Sequence, residues 1–229
     1  MEIEAKFSLL NPNKEDLDRL KAIYIQAGYG IEVDSDPIDI VDVYYDRTDH
    51  ALRRAGAAFR IRKEDREVLL TFKRKLSQEG ALHTRVELES PPTQNHVERV
   101  NAEMEKLDLP IAKDRLHNMT SIELEDALRA WDLVPMVEIR TRRYKLDVRD
   151  RDGAAAFVVL DRVQFQHGGR RGGYSGIEIE ASDDENVEIV RRLSGILKAE
   201  WGGGIQEQGI SKYEFALDSL GINRESLCR

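Results

Sequence analysis

The amino-acid sequence predicts an α+β fold, an antiparallel β-sheet curled to closure with helices packed on its outside. Three observations carry this. Segments of apolar/polar alternation recur along the 229 residues, each reading as a strand with one apolar and one charged face. Those charged faces concentrate Arg, Lys and Glu, where an ordinary solvated surface mixes in Ser, Thr and Gln. Amphipathic helices lie among the strands and need an apolar surface to cover. If they cover the apolar face from outside, the charges point into a lumen.

The first strand begins at Glu2, with Glu2, Glu4 and Lys6 on one face and Ile3, Ala5 and Phe7 on the other. A helix over 13–29 follows, capped by Asn13, with a stripe of Leu17, Leu20, Ile23, Tyr24 and Ala27 ahead of Gly28 and Gly30. Residues 38–46 read as a strand. Two more, 57–63 and 67–75, are joined by the turn Lys63-Glu64-Asp65-Arg66, and 84–89 ends at Ser90-Pro91-Pro92. From Asn95 to Trp131 the period becomes helical, broken by Pro110. Strands resume at 135–147, 155–163 and 176–181. A helix over 184–200 carries the stripe Val187, Val190, Leu193, Ile196 and Leu197, and a last helical stretch lies near 211–220. Gln166 to Gly176 and Gly202 to Gly204 read as glycine-rich loops. No repeat or composition break divides the chain, so residues 1–229 are expected to form one domain, with the helical segment 95–131 between two strand-rich halves.

Composition narrows the function classes. With 41% hydrophobic and 34% charged residues the chain is globular and has a sizeable core. A net charge of -8 offers no global field for nucleic acid or a membrane surface. The start MEIEAKF has no apolar h-region, and no run approaches about 18 apolar residues. The lone cysteine, Cys228, excludes an intrachain disulfide framework and a thiolate metal cluster. A cytoplasmic protein with no nucleic-acid or membrane partner is expected; a homodimer is compatible with this. The five histidines, His50, His83, His96, His117 and His167, read as isolated surface residues.

The charged faces are in phase strand by strand. Arg60 pairs in phase with Arg62, and Thr71 with Lys73. Arg85 shares its phase with Glu87 and Glu89, Glu138 with Arg140 and Arg142, and Glu178 with Glu180. Asp161 interrupts an otherwise apolar strand. Any one of these strands is explained by an open sheet with its charges in water; the set is better explained by a lumen. A lumen with about six cations and about seven carboxylates needs a ligand to complete it, because unpaired buried ions cost several kcal/mol each. Arg forks and Lys ammoniums suit phosphate, and carboxylates suit a hard divalent ion, so the mixture points to a metal-bound polyphosphate.

These residues also carry a resemblance. Glu2-x-Glu4-x-Lys6 resembles the ExExK signature of the CYTH superfamily, the triphosphate tunnel metalloenzymes. Tyr44-Tyr45-Asp46, Arg60-Ile61-Arg62, Thr71-Phe72-Lys73, Arg85-x-Glu87-x-Glu89, Arg140-Thr141-Arg142, Asp161, Glu178-x-Glu180 and Ser211-Lys212 follow in the family's order. The resemblance implies an eight-stranded antiparallel tunnel that binds a triphosphate chain. By position, Lys6, Arg60, Arg62, Lys73, Arg85, Arg140 or Arg142, and Lys212 would hold phosphate oxygens, with Lys6, Arg60, Arg62, Lys73 and Arg85 catalytic. Glu2, Glu4, Asp161, Glu178 and Glu180 would ligate Mg²⁺ or Mn²⁺, with Glu87 and Glu89 as further candidates. The run Arg140-x-Arg142-Arg143 leaves open which arginine points inward.

The expected function is therefore divalent-metal-dependent hydrolysis of a triphosphate, inorganic tripolyphosphate first. A thiamine triphosphatase and a class IV adenylyl cyclase are the alternatives within the family. A polyphosphate-binding module without turnover is the alternative from another class, and the carboxylates argue against it because cations alone would bind a polyanion. No Ser-His-Asp order competes, and the Gly168–Gly173 stretch lacks the Gly-Lys-Ser/Thr ending of a phosphate loop.

Overall fold

The alternation that opens the chain sets the architecture. On strand β1 (Glu2–Leu9), Ile3, Ala5 and Phe7 are buried beneath helices, while Glu4 and Lys6 are buried on the opposite face. The same division holds around a closed sheet. The structure, a computed structural model, describes residues 2–34, 36–64, 66–110, 121–153, 155–182 and 187–222.

The strands in chain order are β1, β2 (Gly30–Val33), β3 (Ile38–Asp46), β4 (Ala57–Glu64), β5 (Glu67–Glu79), β6 (Leu82–Ser90), β7 (Val134–Arg149), β8 (Ala155–His167), β9 (Arg170–Ala181) and β10 (Ile205–Glu207). The helices are α1 (Asp16–Gln26), α2 (Ala51–Arg54), α3 (Gln94–Glu105), α4 (Ser121–Ala130), α5 (Val187–Trp201) and α6 (Lys212–Ser219). Eight strands close an antiparallel barrel in the order β1-β6-β5-β4-β3-β7-β8-β9, and β9 returns to β1. β2 extends the far end of β7, and β10 pairs with β1 beyond β6. The short β2, β10 and α2 are too brief to leave a period in the sequence.

Three apolar clusters hold the helices. One packs Leu20 and Tyr24 of α1 and Leu193 and Leu197 of α5 on the outer residues Phe7, Leu146, Val158 and Ile179. A second packs Val97, Val100 and Met104 of α3 and Leu124 and Leu128 of α4 on Phe59, Ile61, Leu70 and Phe72. At about 25 cal/mol per Å² of apolar area removed from water, such faces supply the main stabilisation of the barrel. The third cluster lies inside. Tyr213, Ala216 and Leu217 of α6 fill one end of the lumen against Tyr44, Val137, Ile139, Val163 and Phe165. A capping box between Ser211 and Glu214 starts α6. Among the described residues no helix is long and apolar enough to cross a membrane.

Several sequence expectations are corrected. Gln166 to Gly176 is no loop: β8 and β9 run on to a hairpin turn at Gly168-Gly169, both with positive φ, and His167 pairs with Arg170. Gly173 is required inside that strand because a Cβ there would stand 2.6 Å from Val163 O. Asn13 does not cap α1; its side chain accepts from Glu15 N in the turn before the helix. His50, His83 and His96 are buried rather than on the surface. His167 is exposed, and His117 lies outside the described residues, as do Cys228 and positions 184–186 of the expected 184–200 helix.

Candidate functional site

Cross-strand partners share a face, so the register sorts the charges. Glu2 lies opposite Arg85, Glu4 opposite Glu180, and Lys6 opposite Glu178. Arg60 and Arg62 lie opposite Tyr44 and Asp42, Thr71 opposite Glu89, and Lys73 opposite Glu87. All of them face the lumen, where a cavity of about 270 Å³ is lined by Glu2, Glu4, Lys6, Arg60, Arg62, Lys73, Arg85, Glu87, Glu89, Arg143, Glu178, Glu180 and Lys212 among others.

Strand β7 has the opposite phase to the one its charges suggest. Arg140 is 62% exposed and pairs with Glu138, and Arg142 is also exposed, so both lie outside the tunnel. Arg143 faces inward. The cause is α6: it fills the lumen's end against Val137 and Ile139, so the inward face of β7 begins apolar and turns charged only at Arg143. The Arg-Thr-Arg run reads as a charged face from sequence because α6's position is not legible there.

The cations and carboxylates form one interlocked array. Lys73 Nζ lies 2.8 Å from Glu2 Oε1 and 3.0 Å from Glu87 Oε2. Lys6 bridges Glu4 at 3.0 Å and Glu178 at 3.1 Å. Arg60 donates to Glu89 at 3.1 Å and to the Tyr44 hydroxyl at 3.1 Å. Arg143 holds Asp161 bidentately, at 2.9 and 2.8 Å, and reaches Glu178 at 2.8 Å. Lys212 reaches Asp161 and Glu178, each at 2.8 Å. Burial pushes the Glu178 carboxyl up, but Lys212, Lys6 and Arg143 outweigh it and hold it well below the usual carboxylate range. Burial likewise raises Glu89, and Arg60 and Arg62 bring it down to about 2.

Three carboxylates converge on one point, two of them while also paired with cations, Glu2 with Lys73 and Glu4 with Lys6. Oxygens of Glu2, Glu4 and Glu180 lie within 4.8 Å of one another. Burial pushes the Glu180 carboxyl up to about 7, against the pull of Arg143, with Glu178, Glu4 and Glu2 adding to the rise. Glu4 Oε1 is 3.0 Å from Arg85 Nη1 but not aligned for a hydrogen bond. A crowded, partly unsatisfied, all-oxygen donor set is what a hard divalent cation would fit; two Mg²⁺ ligand oxygens sit at most about 4.2 Å apart, a small adjustment from here. The other four expected ligands, Asp161, Glu178, Glu87 and Glu89, stand with the cations.

Two residues of the array carried little sequence signal. Asp42 is buried behind Arg60 and Arg62; a charge breaking an apolar run, the signal that marked Asp161, marks it too. His83, 0% exposed, sets its Nε2 3.0 Å from Gln208 O and its Nδ1 3.4 Å from Arg85.

Comparison with known proteins identifies the family and the fold. The family model described as CYTH domain matches residues 1–199. Among solved structures, a Hippeastrum protein described as an adenylyl cyclase with a dominant triphosphatase activity is 21% identical, covers 98% of this chain and 99% of its own, and gives a TM-score of 0.58. The PH1819 protein of Pyrococcus horikoshii is 17% identical over 96% of this chain and 99% of its own, at a TM-score of 0.55. A conserved protein of Pyrococcus furiosus is 15% identical over 93% and 99%, at 0.54. At these identities the likeness is one of fold. Comparison with curated proteins gives no significant match.

Proposed function

The chain belongs to the CYTH domain family, and from that premise we propose that it is a metal-dependent triphosphatase whose first substrate is inorganic tripolyphosphate. The observation that carries the reading is a convergence inside the tunnel: oxygens of three carboxylates, Glu2, Glu4 and Glu180, meet at one place in a lumen that Lys6, Arg60, Arg62, Lys73, Arg85, Arg143 and Lys212 also line.

Phosphoryl transfer passes through a loose transition state, so positioning and charge neutralisation supply most of the rate. Arg60, Arg62, Lys73, Arg85, Arg143 and Lys212 hold the phosphate oxygens along the tunnel, in place of the carboxylates that now occupy them. Lys6, between Glu4 and Glu178, joins the carboxylate cluster to the cationic wall. A Mg²⁺ or Mn²⁺ ion held by Glu2, Glu4 and Glu180 would neutralise phosphate charge and lower the pKa of bound water. Glu87, Glu89, Asp161 and Glu178 serve as counter-charges that keep the cations aimed inward.

The test is phosphate release from tripolyphosphate, thiamine triphosphate and ATP with Mg²⁺ or Mn²⁺, with Glu4→Gln and Glu180→Gln as controls. Release from tripolyphosphate that both substitutions abolish is expected. Cyclic AMP from ATP would move the protein to the cyclases. Tight tripolyphosphate binding with no release from any substrate would make it a binding module.

A further inference from the structure

Asp42 is 1% exposed and absent from the cavity lining. It lies on β3 behind two of the arginines that form the wall. Arg62 donates from Nε to Oδ1 at 3.0 Å and from Nη2 to Oδ2 at 3.3 Å, and Arg60 Nη1 reaches Oδ2 at 3.4 Å. A carboxylate that takes Nε and one Nη occupies a whole edge of the guanidinium and fixes the rotation of its plane. Arg62 is left with Nη1 on the lumen side, 3.5 Å from Glu89 Oε1. Arg60 shares its Nη1 between Asp42 and the Tyr44 hydroxyl and turns Nη2 to Glu89 Oε2 at 3.1 Å, while its buried Nε meets no hydrogen-bond partner among the described residues. One buried carboxylate thus dictates which nitrogen Arg62 offers to a ligand and tethers one nitrogen of Arg60 beside it.

We propose that Asp42 is a positioning residue, which locks the plane of Arg62 and tethers Arg60 through one nitrogen before phosphate arrives, so that Arg62 presents a fixed edge to the chain. This rests on the triphosphate reading of the tunnel. Two effects of Asp42 oppose each other. Its negative charge, beside a polyanion site, weakens binding. Its grip on two long, rotamer-rich side chains removes ordering entropy that the ligand would otherwise have to supply. The proposal asserts that the second effect dominates, so a neutral, equal-sized replacement decides by sign.

The experiment measures tripolyphosphate affinity of Asp42→Asn by calorimetry without metal, steady-state hydrolysis with Mg²⁺, and hydrogen exchange at Arg62 Nε by NMR. Affinity weaker by about tenfold or more is expected, with KM raised by a similar factor, kcat changed less, and faster exchange at Arg62 Nε. In an Arg62→Gln background, Asp42→Asn is expected to add at most about twofold. Unchanged or tighter binding by a folded Asp42→Asn protein would overturn the proposal. If that variant does not fold, Asp42→Glu keeps the charge but shifts the carboxylate: a similar loss is expected, and wild-type affinity would overturn it. A wild-type protein that neither binds nor hydrolyses tripolyphosphate sinks the functional reading instead, and leaves the exchange at Arg62 Nε to report on Asp42 alone.

Discussion

Lys212, at the start of α6, donates to Glu178 of β9 across 2.8 Å, and this contact ties the helix that closes the tunnel to the tunnel's wall. Glu178 answers three cations at once, Lys212, Lys6 and Arg143.

Glu178→Gln leaves those three cations short of a counter-charge in a buried site. Breaking a buried pair from one side costs about 3–5 kcal/mol, so the melting temperature of the variant should drop by several degrees. Tripolyphosphate, supplying the missing charge, should raise it more in the variant than in the wild type. Differential scanning calorimetry with and without tripolyphosphate checks both; equal melting temperatures without ligand would contradict the counter-charge role.

Arg143, not Arg140 or Arg142, should matter for turnover. A hydrogen bond to a charged group contributes about 1.5–3 kcal/mol, so Arg143→Gln should lower kcat/KM by about ten- to a hundredfold. Arg140→Gln and Arg142→Gln, on the outer face, should stay within about twofold of the wild type. Comparable losses in all three would mean that β7 is turned the other way.

Glu2 competes with phosphate for Lys73, which it contacts at 2.8 and 3.0 Å. Glu2→Gln should therefore tighten metal-free tripolyphosphate binding by a few-fold, in keeping with the modest worth of a partly solvated ion pair, while it lowers metal-dependent hydrolysis. Titration calorimetry beside a phosphate-release assay reads the two signs. Movement of both in one direction would argue against a shared role in metal and cation contacts.

Acid sensitivity should come in part from buried histidines. Burial holds His50 and His96 below the ordinary value of 6.5, and His96 Nε2 is 2.8 Å from Leu70 O. The folded chain keeps both rings neutral, whereas the unfolded chain takes up protons as pH falls through about 6.5. The unfolded state then binds more protons, so stability present above that pH is lost below it. The melting temperature should fall from pH 7.5 to 5.5, and His96→Gln should fall less; an equal fall would assign the effect to other groups.

The strands of the barrel were legible because a two-residue period survives wherever one face is apolar. Glu2, Glu4, Lys6, Arg60, Arg62, Lys73 and Arg85 reach the tunnel as their phase suggested, and Lys212, at the start of α6, reaches it as the resemblance implied. Where an inside face is itself apolar, as on β7 beneath α6, the rule that charges point inward inverts, and Arg140 and Arg142 were misplaced for that reason. The β8–β9 hairpin was hidden by its glycines. They signal flexibility in a sequence, but Gly176 serves a close approach, since a Cβ there would stand 2.9 Å from Phe7 O. Buried histidines leave no mark, since a lone ring in a sequence says nothing of its surroundings. Asp42 carried the same mark as Asp161, a charge inside an apolar run, but its grip on Arg62 and the division of carboxylates into a metal cluster and counter-charges depend on side-chain distances that no spacing encodes.

The barrel's seam has a consequence for how the molecule is made. β1 closes the sheet by pairing Glu4 with Glu180 and Lys6 with Glu178, contacts between the two ends of the barrel sequence. Such non-local pairing is slow to form and must wait for nearly the whole barrel to leave the ribosome. Two of the clustered carboxylates, Glu2 and Glu4, ride on β1, and the third, Glu180, on β9. The cluster therefore does not exist until the seam is shut, and a cation bound there would act as a clasp on the last step of folding.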